Sequence, residues 1–215
     1  MSRLMHKSRS HVTGIDPMSA VSEAYRSLRT NIAFSNRDAA MKCVMITSAQ
    51  HGEGKSTTSA NIAEAYAQTN KNVLLIDADL RTPVQHQLFE LSNHYGLSTL
   101  LAERGNLDEV IQKTSIDGLH VISAGPVPPN PSELLDSPEM SELLRETKER
   151  FDLVIIDTPP VLTVADALIL AGKSDGVVLV MNPGKVKTHI AQKAVSSLEY
   201  GHASIIGAVL NRVKG

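Results

Sequence analysis

The residues from Ala49 to Thr57 have the types and the spacing of a loop that binds phosphate groups. They follow the pattern G-x-x-x-x-G-K-[ST], with alanine in the first glycine position. Glycine lets backbone N–H groups turn toward phosphate oxygens, a lysine can reach the β- and γ-phosphates, and a serine hydroxyl can ligate Mg²⁺. The alternative is a simple glycine-rich turn between a strand and a helix. The predicted ligands are the phosphates of a nucleotide together with Mg²⁺, and the predicted contacts are Gly52, Glu53, Gly54, Lys55, Ser56 and Thr57.

Three aspartates at the ends of apolar runs could complete this chemistry. Asp77 and Asp79 follow one run, and Asp157 follows another. An aspartate at such a strand end can hold Mg²⁺ directly or through a water, and a second carboxylate can orient or deprotonate an attacking hydroxyl. The alternative is that each aspartate only ends a strand or caps a helix. The candidate catalytic residues are Lys55, Asp77, Asp79 and Asp157. The candidate metal ligands are Ser56, Asp157 and one of the pair Asp77 and Asp79.

The elements that must position these residues alternate along the chain. Continuous apolar runs predict strands buried on both faces, and the helical segments between them predict parallel pairing. The expected fold is α/β, a doubly wound and mostly parallel sheet with helices on both faces plus an extra N-terminal helix. Strands are predicted at 43–47, 72–77, 119–123, 152–157, 176–181 and 204–210. Helices are predicted at 18–34, 56–68, 164–171 and 187–198, and an irregular helical region at 83–113. A further helix is predicted to start at Asn130, which caps it, with Pro131 in its first turn.

Composition narrows the classes of function. The chain has 215 residues and a formal net charge of −2, so it lacks the basic field of a nucleic-acid binder. No apolar run approaches the roughly 20 residues of a membrane-spanning helix. The single cysteine, Cys43, cannot form an internal disulfide, which suits the cytoplasm. We expect a mobile arm at 1–16 and one domain at 17–215.

The helix at 18–34 carries two kinds of face. Val21, Tyr25, Leu28 and Ile32 form one apolar stripe at helical spacing, and Glu23, Arg26 and Arg29 follow on an adjoining face. The charged face could pair within the helix, which stabilises it by only tenths of a kcal/mol. It could also form a head-to-tail contact between subunits, which closes into rings.

Taken together, these motifs resemble the bacterial tyrosine kinases, a family of P-loop kinases of capsule and exopolysaccharide synthesis. The resemblance spans roughly residues 19–212 and is carried by the phosphate loop 49–56 (Walker A), the run 74–81 (Walker A′), the run 154–160 (Walker B), the E-x-x-R-x-x-R helix 23–29 and the segment 125–135. It implies a protein-tyrosine kinase in which Lys55, Ser56, Asp77 and Asp157 serve ATP and Mg²⁺, and Asp79 contacts the acceptor tyrosine. It also implies that Glu23, Arg26 and Arg29 build a ring-like homo-oligomer, with an octamer as one candidate size.

The resemblance also implies partners. The predicted lack of a membrane span matches the split form of the family, in which the cytoplasmic tail of a separate membrane-embedded activator helps order the ATP site at the inner face of the membrane. His51 stands where the family often has proline. The family usually ends in a tyrosine-rich tail, and no tyrosine follows Tyr200 in this sequence. Either that tail has been removed, or this member phosphorylates other proteins. Tyr25, Tyr66 and Tyr95 fall in segments predicted to be ordered and are poor substitutes for the tail. Asn211 and Arg212 are candidate contacts of the base, or simply a turn.

Two other interpretations remain at this point. A switch ATPase of the septum-placement or plasmid-partition type would share the fold, and its ATP state would control partner binding. Such proteins carry a second lysine near the start of the loop, whereas this chain reads Ser48-Ala49-Gln50-His51 there. A structural ring component, whose ATP binding controls assembly of the polysaccharide machinery, is compatible with kinase activity.

Overall fold

The central feature of the fold is a seven-stranded sheet in the order β3-β4-β2-β5-β1-β6-β7, seen in a computed structural model that describes residues 19–35 and 41–213. Every neighbouring pair is parallel except β3 and β4. The strands are β1 (Cys43–Ser48), β2 (Val73–Asp77), β3 (Ile111–Lys113), β4 (Leu119–Ile122), β5 (Leu153–Asp157), β6 (Gly176–Met181) and β7 (Ile205–Leu210). The predicted arm at 1–16 lies outside the described residues.

Helices cover both faces of this sheet, and two separate apolar clusters lie beneath them. Along β2, Leu74 and Ile76 belong to one cluster, whereas Val73 and Leu75 belong to the other. This alternation confirms the predicted doubly wound α/β fold. The helices are α1 (Ala20–Phe34), α2 (Lys55–Ala67), α3 (Gln85–Leu88), α4 (Leu97–Glu103), α5 (Leu107–Val110), α6 (Pro131–Asp136), α7 (Pro138–Arg150), α8 (Asp166–Ala171) and α9 (Thr188–Tyr200). Within the described residues, no helix is long and apolar enough to cross a membrane.

Two local predictions need correction. The region 83–113 contains three short helices but also the antiparallel edge strand β3, which is too short to show a periodic pattern. Asn130 does precede α6, and Pro131 is in the first turn, but the Asn130 side chain makes no capping hydrogen bond. A second helix, α7, follows almost at once, and there Ser137 accepts a hydrogen bond from the backbone N–H of Met140.

Helix α1 packs on α2 through most of its predicted stripe. Ile32 is buried, and Tyr25 and Leu28 pack against the same apolar cluster. Val21, by contrast, is 49% exposed, and Phe34 near the other end of the helix is 69% exposed. The extra helix therefore covers its own domain while it presents two large apolar side chains to the outside.

Candidate nucleotide-binding and phosphoryl-transfer site

The phosphate loop connects β1 to α2 by a backbone that only glycine adopts readily. Gly52 and Gly54 have φ angles of 79° and 96°, in the left-handed region. A side chain at Gly54 would also collide with Asn211, because a Cβ atom there would lie 1.9 Å from Asn211 Nδ2. Helix α2 begins at Lys55, so its first N–H groups and the positive end of its dipole face the loop.

Glu53 holds the loop in shape with its side chain. The carboxylate is buried, and its oxygens accept hydrogen bonds from Gln50 N at 2.7 Å and from Asn182 N at 3.2 Å. Asn211 adds a third tie, because its Nδ2 donates to Glu53 O at 2.8 Å. The side chain of Glu53 is therefore committed to the loop and to the end of β6, which leaves the backbone as the part of this residue that can face a phosphate.

Lys55 is buried among the predicted acidic residues. Its Nζ lies 2.7 Å from Asp79 Oδ2, 3.0 Å from Ser56 Oγ and 3.7 Å from Asp157 Oδ1. Burial disfavours the charged ammonium, but the charges of Asp157 and Asp79 outweigh it and raise the pKa of Lys55. The lysine is therefore a fixed positive charge at the mouth of the phosphate loop.

The three aspartates meet because their strands are neighbours. Asp77 and Asp157 stand opposite each other in the register of β2 and β5, and all three carboxylates are buried. Burial, followed by the charge of Asp157, raises the pKa of Asp77 to about 8. Burial also raises the pKa of Asp157, in spite of Lys55 and a hydrogen bond from Gln85. With a pKa of about 8, Asp77 holds a proton at neutral pH, which relieves the repulsion between these close carboxylates.

The segment from Thr82 to Gln85 donates hydrogen bonds to all three carboxylates. Thr82 N and Oγ1 donate to Asp79 Oδ1 at 3.0 and 3.1 Å. Val84 N and Gln85 N donate to Asp77 Oδ2 at 3.1 and 2.9 Å, and the Gln85 side chain donates through Nε2 to Asp157 Oδ2 at 2.7 Å. Gln85 is a site residue that sequence reasoning missed, because no motif position marks a glutamine in this loop.

Arg81, next to this segment, anchors it to helix α8. Its Nε and Nη2 donate to the two oxygens of Asp166 at 2.9 and 3.1 Å, and Asp166 is fully buried. Ser132 joins the group, since its Oγ lies 2.6 Å from Asp166 Oδ1. This bidentate pair, the fork of Arg81 on Asp166, fixes the position at which the Walker A′ loop leaves the sheet.

A cavity of about 310 Å³ opens beside the loop. Its walls include Gly52, Gly54, Lys55, Ser56, Thr57, Asp79 and Arg212. The cavity thus unites the loop with the predicted acceptor-side carboxylate and with Arg212, whereas Asn211 packs behind the loop. Arg212 has a φ of 59°, in the left-handed region that some turn types use, which agrees with the alternative of a turn at these two residues.

The residues present also fit a magnesium ion. In the described part of the chain, no group of three or more His, Cys, Asp or Glu side chains is arranged to hold a metal alone. Mg²⁺ does not need such a group in nucleotide sites, where one or two carboxylates and the phosphates hold it. A divalent cation would replace the proton of Asp77 and offset the charge of the ionised carboxylates, and Gln85 Oε1 is a buried acceptor without a partner. Ser56, Asp77 and Asp157 are therefore suited to an ion that arrives with the nucleotide.

The charged face of α1 lies apart from this cavity. Arg26 forms an ion pair with Glu23 in the same helix, as one of the two sequence interpretations expected. Arg29 Nη1 donates to Ala65 O of α2 at 2.7 Å, and Tyr66 Oη donates back to Arg29 O at 3.1 Å. Arg29 thus fastens α1 to its own domain, and the role of the three residues between subunits stays a prediction.

Comparisons with known proteins agree with this architecture. A family model described as an AAA domain matches residues 41–199. The tyrosine-protein kinase YwqD of Bacillus subtilis is 48% identical over 93% of this chain and 84% of its own length. The crystal structure of the chimerical protein CapA2B2 has a TM-score of 0.90 and 40% identity, and the match covers 93% of this chain and 88% of that one. The cell division ATPase MinD of Pyrococcus furiosus is more distant, with a TM-score of 0.69 and 27% identity over 80% of this chain and 72% of that one.

Proposed function

The chain belongs to the bacterial tyrosine kinase family, and from that premise we propose that it transfers the γ-phosphate of ATP to the hydroxyl of tyrosine in other polypeptides. The observation that carries the proposal is the meeting of Lys55 and three buried carboxylates at one phosphate loop. A loop and a lysine would suffice to bind a nucleotide. The second carboxylate of the Walker A′ run, Asp79, adds a group that can receive a proton from an acceptor.

In the proposed reaction a bond forms between the tyrosine oxygen and the γ-phosphorus, and the bond to the β–γ bridging oxygen breaks, so that ADP leaves. Lys55 and the backbone N–H groups of the loop stabilise the charge on the phosphate oxygens. Bound Mg²⁺, held through Ser56, Asp77 and Asp157, would supply further neutralisation of that charge. Asp79 orients the phenol and accepts its proton. The position of Asp79 on the cavity wall and beside Lys55 supports this role.

For the base of ATP we propose contacts with Asn211 and Arg212 after β7. Arg212 lines the same cavity as Thr57, and Asn211 is tied to the loop through Glu53 O. A planar guanidinium can stack on the base, so we expect Arg212 to carry more of this contact than Asn211.

We also propose that the kinase acts in capsule or exopolysaccharide synthesis as part of a ring. The ring would use Glu23, Arg26 and Arg29, and the exposed Val21 and Phe34 on α1 support a contact there. The cytoplasmic tail of a membrane-embedded activator would bind the kinase at the inner face of the membrane and complete its ATP site. Among its own tyrosines, Tyr95 lies in a bend and is 59% exposed, and Tyr200 is 88% exposed, so both are accessible to another subunit.

The decisive test mixes the chain with Mg-ATP labelled on the γ-phosphate, a random glutamate–tyrosine polypeptide and a peptide of a candidate activator tail. Phosphotyrosine and free phosphate are measured separately. Lys55→Met should lose phosphotyrosine, whereas Lys193→Met, on the exposed side of α9, should keep it.

Label on tyrosine that depends on Lys55 would support the kinase. Free phosphate without phosphotyrosine would favour the switch ATPase instead, a possibility kept open by the fold shared with MinD.

A further inference from the structure

Gln85 links the two strands that carry the acidic residues of the site. Its backbone N–H donates to Asp77 after β2, and its side chain donates to Asp157 after β5. The same Nε2 also donates to Ser56 O at 3.1 Å. One residue at the start of α3 therefore contacts all three residues to which we assign the metal.

The orientation of the Gln85 amide follows from its neighbours. Asp157 Oδ2 and Ser56 O are both acceptors, so the nitrogen must face them and the oxygen must face elsewhere. Gln85 is fully buried, and its Oε1 has no hydrogen-bond partner. A buried acceptor without a donor destabilises the fold, and a ligand or an ordered water is one explanation for such an atom in a native protein.

The missing partner must be a hydrogen-bond donor. The phosphates of a nucleotide only accept hydrogen bonds, and the nearby Lys55 ammonium is directed to Asp79, Ser56 and Asp157. Mg²⁺ in nucleotide sites retains several water ligands, and these are strong donors. A water on the ion is the donor that chemistry offers at this place.

We propose that Gln85 is a positioning residue for hydrated Mg²⁺. Its Oε1 accepts a hydrogen bond from a water ligand of the ion, while its Nε2 holds Asp157 in the orientation that the ion requires. The inference rests on the proposed nucleotide site and adds a residue to it. Partners of this kind typically change metal affinity 10- to 100-fold when they are removed.

The test measures the Mg²⁺ concentration that half-saturates the tight binding of a fluorescent ADP analogue to the full chain. It needs no phosphoryl transfer. Gln85→Met removes both functions of the amide, Gln85→Glu keeps an acceptor oxygen but loses the donor, and the exposed Gln87→Met on the same helix is the matched control. Affinity for the analogue without metal and the melting temperature are recorded in parallel.

We expect Gln85→Met to need about tenfold more Mg²⁺ or more, with an affinity in the absence of metal within about threefold of wild type. Gln85→Glu, which keeps the acceptor but loses the donor to Asp157, should need less Mg²⁺ than Gln85→Met, and Gln87→Met should match wild type. Equal Mg²⁺ dependence in Gln85→Met and wild type would overturn the inference, and so would an equal loss in the Met and Glu variants, since only the donor function would then matter.

If Gln85→Met does not fold, Gln85→Glu decides alone, and a tenfold higher Mg²⁺ requirement in that variant refutes the acceptor role. Failure of the wild-type chain to bind the analogue at all is a different result, because it would reject the nucleotide site itself.

Discussion

Lys55 Nζ lies 2.7 Å from Asp79 Oδ2, so the lysine of the phosphate loop is paired with the carboxylate assigned to the acceptor. Both groups are buried, and the pair lies on the wall of the cavity where the phosphates would bind. An ammonium offers three protons, and phosphate oxygens must compete with Asp79 for them. The contact therefore couples the binding of the nucleotide to the carboxylate that would receive the tyrosine proton.

Asp79→Asn should separate binding from transfer. Because the neutral amide competes less for Lys55, we expect ADP to bind about fivefold more tightly, equivalent to roughly 1 kcal/mol. Transfer to a tyrosine polypeptide should fall by about 100-fold or more, because the proton acceptor is lost. Calorimetric titration and phosphotyrosine assays measure the two effects, with the exposed Asp136→Asn as control. Transfer at the wild-type rate would remove Asp79 from the acceptor side.

Asp77→Asn should alter how stability depends on pH. Since the pKa of Asp77 is raised from 3.8 to about 8, the folded chain holds this proton more tightly than the unfolded chain. The protonated Asp77 therefore contributes to the free energy of unfolding. This contribution is fully present below pH about 4 and is lost as the pH rises to about 8, by up to roughly 1.4 kcal/mol per pH unit. Without nucleotide or Mg²⁺, the Asn variant should melt above wild type, and the gap should widen from pH 5 to pH 8.

The pH experiment uses Asp117→Asn, an exposed aspartate, as its matched control. Parallel melting curves for wild type and Asp77→Asn across this range would contradict the assignment. In the same variant we expect Mg²⁺ to strengthen ADP binding less than it does in wild type, because a charged metal ligand has been removed.

Asp166→Ala should loosen the Walker A′ loop. Asp166 is fully buried and accepts both hydrogen bonds of the Arg81 fork, so its removal leaves a cation without its partner. The Arg81 side chain is 39% exposed, and we therefore expect a loss of about 1–3 kcal/mol, below that of a fully buried pair. Urea unfolding measures it, and Arg81→Lys should lose part of the same amount because lysine cannot form the fork. Unchanged midpoints of urea unfolding in both variants would show that the pair of Arg81 and Asp166 does not contribute to stability.

Changes on α1 should separate assembly from folding. Arg26→Ala should dissociate the proposed ring and lower the melting temperature less than Arg29→Ala, because its ion pair with Glu23 lies within one helix and contributes only tenths of a kcal/mol. Arg29→Ala should lower the melting temperature as well, because it removes the hydrogen bond to Ala65 O. The variant that carries both Arg26→Ala and Arg29→Ala should still bind ADP. Arg145→Ala on α7, which removes comparable exposed ion pairs, is the control. Sedimentation of the double variant as the wild-type assembly would refute the interface.

Much of the site was predictable from local patterns. The phosphate loop depends on glycines at positive φ between a strand and a helix, and each requirement is visible within about ten residues. Asp77 and Asp157 were predictable because an apolar run followed by a carboxylate marks the carboxyl end of a buried strand. The short strand β3 was not predictable, because three residues are too few to show a period. The break between α6 and α7 was not predicted either, because Ser137 was not recognised as the residue that caps α7.

The sequence by itself determined the α/β class, the loop and the order of its acidic partners, because periodicity, glycine and strand-end carboxylates act over short stretches of chain. Only the tertiary structure decided which groups touch. Gln85 reaches Asp157 across 72 positions, and Arg81 reaches Asp166 across 85, because β2 lies beside β5 in the sheet. Lys55 follows β1 and Asp79 follows β2, and the two meet because both strands flank β5 and their carboxyl ends lie at the same edge of the sheet. Such contacts depend on strand order and register, which no short stretch of sequence encodes.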